Sequence, residues 1–331
     1  MTAPANKQRV LVSGASGFVG RRLTATLAAA GRDVRAALRQ PSLLSAADRV
    51  ESVVMGDLDA NTDWTAALND VVSVVHLAAR VHVMEDTAVD PLVEFRRVNV
   101  QGTLQLARQA VDAGVRRFVF ISSAKVNGED TLKDCPYTAD DTPAPVDAYG
   151  ISKMEAEQGL LALAAATELE VVIVRPVLIY GPGVKANFLK MMRWLDRGLP
   201  LPLGAINNQR SLLSVDNLVS LIVTCLEHPN AVNQVFMASD GEDISTTILM
   251  RRTALALGKS ARLLPVPTAV LTAAAALLGK RDVAQRLCGS LQVDIAKTRR
   301  VLGWTPPLSV DAGLILAAKD FLGQQQAHAT K

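Results

Sequence analysis

Residues 9–20 read RVLVSGASGFVG, and no other stretch restricts the fold as strongly. A short apolar run ends at Ser13, glycines follow at 14, 17 and 20, and helical periodicity begins at once. The run reads as a buried strand. The glycines permit a tight turn and a close approach of backbone. The helical pattern over 17–30 then stops at Gly31, a C-terminal signal. A chain that opens this way is committed to a strand–turn–helix unit whose helix must lie back on a sheet.

The same rhythm continues. Residues 34–38, 53–55, 71–77 and 118–122 read as strands, with a long helical pattern over 92–113 closed by Gly114. A second long helix is expected over 148–166 and a sixth strand over 171–174. Alternation of this kind predicts an α/β fold, a doubly wound parallel sheet of Rossmann type covered on both faces. After Tyr180 the pattern loosens, Pro200, Pro202 and Gly204 cluster, and helices dominate from Val215. At 331 residues a single core stops growing. The expectation is a domain over 1–180 with the reactive residues, and a smaller, mostly helical C-terminal lobe over 181–331 for substrate, partly interleaved. The tail 324–331 reads as frayed.

Composition narrows the function classes. The net charge is +3 and the cations are scattered, which gives no footprint for nucleic acid. Cys135, Cys225 and Cys288 form no CxxC, and His76, His82, His228 and His328 are dispersed, so free thiols in a reducing compartment and no metal site are expected. Before the glycine turn there is no apolar stretch of signal-peptide length. The longest apolar run, 269–278, contains Thr272 and is too short to span a bilayer. It reads as a buried helix, with a membrane-surface or partner-binding helix as the alternative. A cytoplasmic protein without a transmembrane segment follows.

The glycine turn suits a pyrophosphate, because the amides and dipole of a helix N-terminus attract anions. Gly14, Gly17, Phe18, Val19 and Gly20 are therefore candidates for holding a dinucleotide. The second strand should end at the residue that reads the ribose. The sequence there is DVRAALRQ, with Arg39 where an acid would bind the 2′-hydroxyl of NAD. An Arg can clamp a 2′-phosphate, so NADP(H) is favoured and NAD(H) remains possible. Arg35 assists only if its side chain reaches the same rim. Asp57 and Leu58, in GDLD, suit an adenine-lining position.

Of three tyrosines, Tyr149 stands four residues before Lys153 in YGISK. Positions i and i+4 share a helix face, so the ammonium can stabilise a phenolate and lower its pKa toward working pH. Tyr149 then serves as an acid–base group for a substrate oxygen. Ser122 and Ser123 end the fifth strand, where α/β active sites form. One of these hydroxyls can hold the same oxygen.

GxxGxxG, the strand-end serines and YxxxK together resemble the extended short-chain dehydrogenase/reductase family, most of whose members modify nucleotide sugars. HLAA at 76–79, NVQGT at 99–103 and RPVLIYGPG at 175–183 agree with the resemblance, which covers essentially the whole chain. It implies Ser123, Tyr149 and Lys153 as catalytic residues, the backbone of Leu77, Ala78 and Ala79 along the cofactor, Asn99 as a structural residue, and Pro176 flanking the nicotinamide. It implies a UDP-sugar substrate met by Asn187, Phe188, Leu203, Gly204 and Arg210, with Arg286 as a second cation, Asp216 ordering the helix that follows it, and Lys125 as a further contact or a solvated residue. It also implies a homodimer through a four-helix bundle of helices 92–113 and 148–166.

The combination SSAKVNGE, ADDTPAPVDAYGISK, GPGVKANF and SDGEDIST is similar to the 4-keto-reductases that form UDP-N-acetylquinovosamine for bacterial O-antigen, and to UDP-glucose 4-epimerases. Ala124 and Lys125 follow Ser123 where 4,6-dehydratases carry an Asp–Glu pair, so dehydration is not expected. Asn127 stands where epimerases often have a Tyr. The expected activity is NAD(P)H-dependent reduction of a UDP-4-keto-6-deoxy-amino sugar. The alternatives are a UDP-hexose or UDP-N-acetylhexosamine 4-epimerase with bound NAD and, in another class, a non-catalytic dinucleotide sensor.

Overall fold

The continuous apolar runs pair into a seven-stranded parallel sheet in the computed structural model, which describes residues 9–41, 49–81 and 90–329. Its strands are β1 (Arg9–Ser13), β2 (Val34–Leu38), β3 (Val50–Val54), β4 (Val71–His76), β5 (Arg117–Ile121), β6 (Glu170–Pro176) and β9 (Gln234–Ala238), in the order β3-β2-β1-β4-β5-β6-β9. Strands β7 (Leu178–Tyr180), β8 (Arg210–Ser214) and β10 (Asp243–Ile244) form a second, small sheet. The helices are α1 (Phe18–Ala29), α2 (Thr65–Leu68), α3 (Pro91–Arg96), α4 (Thr103–Asp112), α5 (Ala148–Ala166), α6 (Ala186–Asp196), α7 (Val215–Glu227), α8 (Thr246–Ala256), α9 (Thr268–Leu277), α10 (Arg281–Cys288), α11 (Ala296–Leu302) and α12 (Val310–Ala329).

Successive side chains of a strand point to opposite faces, and here both faces are apolar. Val10, Val12, Val75, Val119 and Val172 pack beneath Leu23 and Leu27 of α1 and Leu218 and Ile222 of α7. Leu11, Val74, Phe118, Phe120 and Ile173 pack beneath Leu106 and Ala110 of α4 and Ala156 and Leu160 of α5. A third cluster, with Tyr180, Phe188, Met192, Leu212, Met250 and Leu314, is the core of the C-terminal lobe. The order of strands reverses between β1 and β4, which opens the crevice where α/β sheets bind ligands.

The structure departs from the sequence reading in five places. The expected helix over 92–113 is α3 and α4 separated by a wider π-helical turn over Arg97–Gly102. The third strand starts at Val50 rather than 53. A seventh strand, β9, joins the sheet beside β6, and α7 packs on its face, so the main sheet draws on chain well beyond residue 180. The apolar run 269–278 forms α9, but none of its residues is buried. The tail holds helical structure through Ala329. Residues 1–8 and His82 lie outside the described residues, as does the side chain of His328.

Candidate active site

The turn after β1 is built by close contact. Gly14 has φ +69°, and a Cβ there would come within 2.8 Å of the Ala78 amide nitrogen. A Cβ on Gly20 would meet the Gly14 carbonyl oxygen at 2.2 Å. These two glycines let β1, the end of β4 and the first turn of α1 close on one another. Gly17 precedes α1, whose first turn has no side-chain cap and no acid, so its amides are not engaged by a side chain and suit an anion. Ser13 ties the neighbouring strand end, accepting from the Leu77 and Ala78 amides on Oγ and lying 2.6 Å from His76 Nδ1. His76 Nε2 lies 2.8 Å from Thr103 Oγ1. Burial, with the charge of Lys153, lowers the His76 pKa to about 3, so the ring is neutral and structural.

At the rim, Arg39 is exposed just beyond β2. Arg35 does not join it: its side chain is buried at the start of β2, donating to the carbonyls of Ala67 and Asn69 and pairing with Glu51 at 2.9 Å. Asp57 is exposed. Leu58 lies against Gly102, where a Cβ would fall 2.6 Å from its Cγ.

The carboxyl ends of β5 and β6 and the start of α5 bring the reactive side chains together. Asp147 caps α5 and accepts from the Gly150 amide at 2.6 Å. Gly150 sits so near the loop after Ser123 that a Cβ would lie 2.8 Å from the Lys125 carbonyl oxygen. That approach puts Tyr149 beside Ser123, near enough for the serine hydroxyl to act on the phenol. Burial, and secondarily the charge of Asp147, push the Tyr149 pKa up to about 12, and the Ser123 contact only partly opposes this. This corrects the expected downward shift. Lys153 is 2% exposed, its Nζ 4.1 Å from the Phe120 ring centroid. Burial lowers its pKa to about 7 against the opposing charge of Glu157. A lysine so near neutrality exerts only part of the pull that a full ammonium would have on a phenolate.

The supporting residues include Asn99, expected from the sequence as structural, and the Glu157–Arg175 pair, which was not expected. Asn99, in the π-helical turn, accepts from the Arg80 amide at 2.8 Å and donates to the Arg80 carbonyl and to Ser152 Oγ, tying the end of β4 to α5. A π-helical turn at such a place re-aims one side chain without ending the helix. Glu157, one turn beyond Lys153, pairs with Arg175 of β6 at 2.6 Å, both side chains 4% exposed. Asn127 accepts from Arg175 at 3.0 Å. The signal for Glu157 lay in its i+4 spacing from Lys153, which sequence reasoning did not pursue. Ser122 Oγ is buried without a hydrogen-bond partner among the described residues.

The expected substrate residues divide. Lys125 pairs with Asp147 at 2.5 Å and Glu129 at 2.7 Å, which braces the cap of α5, and its side chain stays partly exposed. Phe188 is in the lobe core, its ring 5.5 Å from that of Tyr180. Leu203 is buried in the same core. Gly204 donates its amide to Leu264, and Asn187 is exposed at the start of α6. Arg210, in β8, donates to the carbonyls of Arg286 and Gly289 at 3.1 and 3.0 Å, so the two candidate arginines lie in adjoining segments. Burial lowers the pKa of Arg210. Asp216 pairs with Arg22 of α1 at 2.5 Å, while Ser214 is the cap of α7. Pro176 is buried at the end of β6 beside Ala238 of β9.

Segment 290–294 links the two halves. It binds Thr131 and Tyr137, in the loop beyond Ser123, and also Ser211, next to Arg210. The cradle at Gly14 and Gly20, the uncapped amides of α1 and the Ser123–Tyr149 contact fit a bound dinucleotide next to a substrate oxygen. Among the described residues there is no group of His, Cys, Asp or Glu able to hold a metal ion, and no helix long and apolar enough to cross a membrane.

Comparison with known proteins agrees with this geometry. The model of the NAD dependent epimerase/dehydratase family matches residues 10–238. A UDP-glucose 4-epimerase of Vibrio cholerae is 48% identical over 317 residues, 95% of each chain. An undecaprenyl-diphosphate-linked N-acetylglucosamine 4-epimerase of Escherichia coli O157:H7 is 28% identical, covering 92% of each chain. The solved structure of MoeE5 in complex with UDP-glucose and NAD superposes with a TM-score of 0.75 at 27% identity, covering 96% of this chain and 99% of the other.

Proposed function

The chain belongs to the NAD dependent epimerase/dehydratase family, and on that premise we propose that it inverts C4 of a UDP-hexose or UDP-N-acetylhexosamine with bound NAD. The observation that carries this reading is the 48% identity, over 95% of both chains, to a UDP-glucose 4-epimerase. The reductase expected from the sequence takes second place.

Gly14, Gly17, Phe18, Val19 and Gly20 would hold the pyrophosphate, Leu77 to Ala79 the adjoining edge, and Pro176 the far end of the dinucleotide. The dinucleotide supplies a hydride acceptor and donor for the sugar carbon. The rest falls to side chains. Ser123 holds O4 through its hydroxyl. Tyr149 takes the O4 proton as the alcohol becomes a ketone and gives it back after the sugar has presented its other face. Its raised pKa keeps it protonated at neutral pH, so a proton is present for the returning alkoxide, which is the stronger base. To accept a proton it must first lose its own, and a charged Lys153 favours that loss. Arg210, with Arg286 nearby, would neutralise the UDP diphosphate. No carboxylate pair follows Ser123, so dehydration is not expected. Pairing of two chains through α4 and α5 belongs to the same proposal.

One observation favours the second reading, a 4-keto-reductase using NADPH. Arg39 is exposed at the ribose rim where a carboxylate would secure NAD. One experiment separates the two. The purified protein is offered UDP-glucose and UDP-N-acetylglucosamine, and separately UDP-4-keto-6-deoxy-N-acetylglucosamine with NADPH. Interconversion with the galacto epimer and no net cofactor change is expected. Stoichiometric NADPH oxidation with the keto sugar alone makes the enzyme a reductase.

Cofactor choice is testable at the same rim. In Arg39→Asp the phosphate clamp is lost and a carboxylate repels a 2′-phosphate, so NADP(H) should bind at least about tenfold more weakly, with NAD(H) retained. Titration of both dinucleotides reads the result. Equal affinity in the unmodified protein removes any role for Arg39 in the choice.

A further inference from the structure

We infer that the face formed by the α9–α10 hairpin and the end of α6 docks on an anionic phospholipid bilayer. Helix α9, TAVLTAAAAL, carries no charge and has no buried residue. Only Leu271 is packed against the lobe core. Leu277 and Leu278 are 89% and 74% exposed, and Val270 is exposed on the same helix. The patch continues beyond the hairpin. Leu264 donates its amide to Leu201, and Leu199 donates to the carbonyl of Trp194 at the end of α6, so the exposed Leu264, Leu199 and Trp194 adjoin in backbone. Eight of the fifteen exposed large apolar side chains among the described residues lie between 194 and 283.

The charge around this patch decides what can cover it. Segments 185–205 and 255–288 contain nine lysines and arginines against two aspartates and no glutamate, while the whole chain is only +3. Asp196, one of those acids, lies 3.9 Å from Lys259. Lys190, Arg193 and Arg197 are exposed on and just beyond α6, and Arg262 and Lys280 are exposed on either side of α9. Apolar side chains rimmed by cations are the composition of an element that lies in a lipid interface. A ten-residue helix is about 15 Å long, half of what a span requires, so α9 would lie on the bilayer and not cross it. A second copy is disfavoured, because a two-fold contact would set the same cationic face against itself. The hairpin ends at Arg286 and Gly289, whose carbonyls hold Arg210, so the docked face belongs to the lobe with the candidate sugar-nucleotide residues.

The test is flotation of the full-length protein with vesicles of phosphatidylcholine alone or mixed with phosphatidylglycerol. At least about tenfold more protein should float with the anionic vesicles, and added salt should reverse this. Leu277→Glu with Leu278→Glu, both at exposed positions, should abolish flotation with the melting temperature unchanged. Arg262→Glu with Lys280→Glu should do the same. Absence of flotation with phosphatidylglycerol, or equal flotation of the leucine variant, overturns the inference. Self-association in sedimentation that the leucine variant removes, without vesicle binding, would assign the face to a second copy instead.

Discussion

Replacing Tyr149 with Phe should lower kcat by about 10²–10⁴-fold, the range of a positioned acid–base group, with dinucleotide affinity almost unchanged. The ring would keep its place, because its edge-on contact with Phe95, at 6.1 Å between centroids, does not involve the hydroxyl. What disappears is the atom in contact with Ser123. A loss appearing in KM alone would mean that the hydroxyl binds substrate without moving a proton. Near-normal turnover would exclude Tyr149 as the acid–base group under either reaction.

Glu157→Gln should be the most destabilising substitution near the site. It leaves the Arg175 guanidinium buried without its counter-charge, with only the amide oxygens at 127 and 157 to accept from it. Removing one partner of a buried pair typically costs about 3–5 kcal/mol, because the other charge is left uncompensated. For a domain of this size the melting temperature should fall by on the order of 10 °C. A second effect separates this from a purely structural role. The charge of Glu157 raises the pKa of Lys153 against burial. Without it, the proton should leave Lys153 at lower pH, and any limb of the kcat–pH profile that belongs to Lys153 should move in the acid direction. A variant that melts like the parent would show that the pair contributes little to stability.

Much of the first layer was readable because local chemistry forces it. The turn at Gly14–Gly20, the apolar strands and the helix of YGISK each follow from a short stretch of residues. The face of α5 was legible too, since Tyr149, Lys153 and Glu157 recur at the helical interval. The break in the expected helix over 92–113 was not legible. The π-helical turn that places Asn99 depends on the Arg80 backbone, 19 residues away, and on room at Gly102 for Leu58. Strand β9 was missed for a similar reason. Its short run QVFMA finds its place only by pairing with β6 at the far edge of the sheet.

The reading of Lys125 shows the limit most clearly. Its place two residues after Ser123 left a contact with substrate or a solvated position open. Folding brings it to Asp147 and Glu129, and Asp147 caps the helix that carries Tyr149. The apolar run 269–278 makes the opposite point. Its composition suggested burial, but whether a helix finds a partner depends on what the rest of the fold places against it, and α9 packs on α10 and meets the lobe core through Leu271. Sequence by itself determined the strand–helix alternation, the glycine turn and the shared helix face of Tyr149 and Lys153, because each depends on residues a few positions apart. Tertiary structure alone decided which cations are already engaged, which direction Tyr149 and Lys153 shift, and which apolar surface stays open, because burial and pairing between distant segments exist only once the chain has closed.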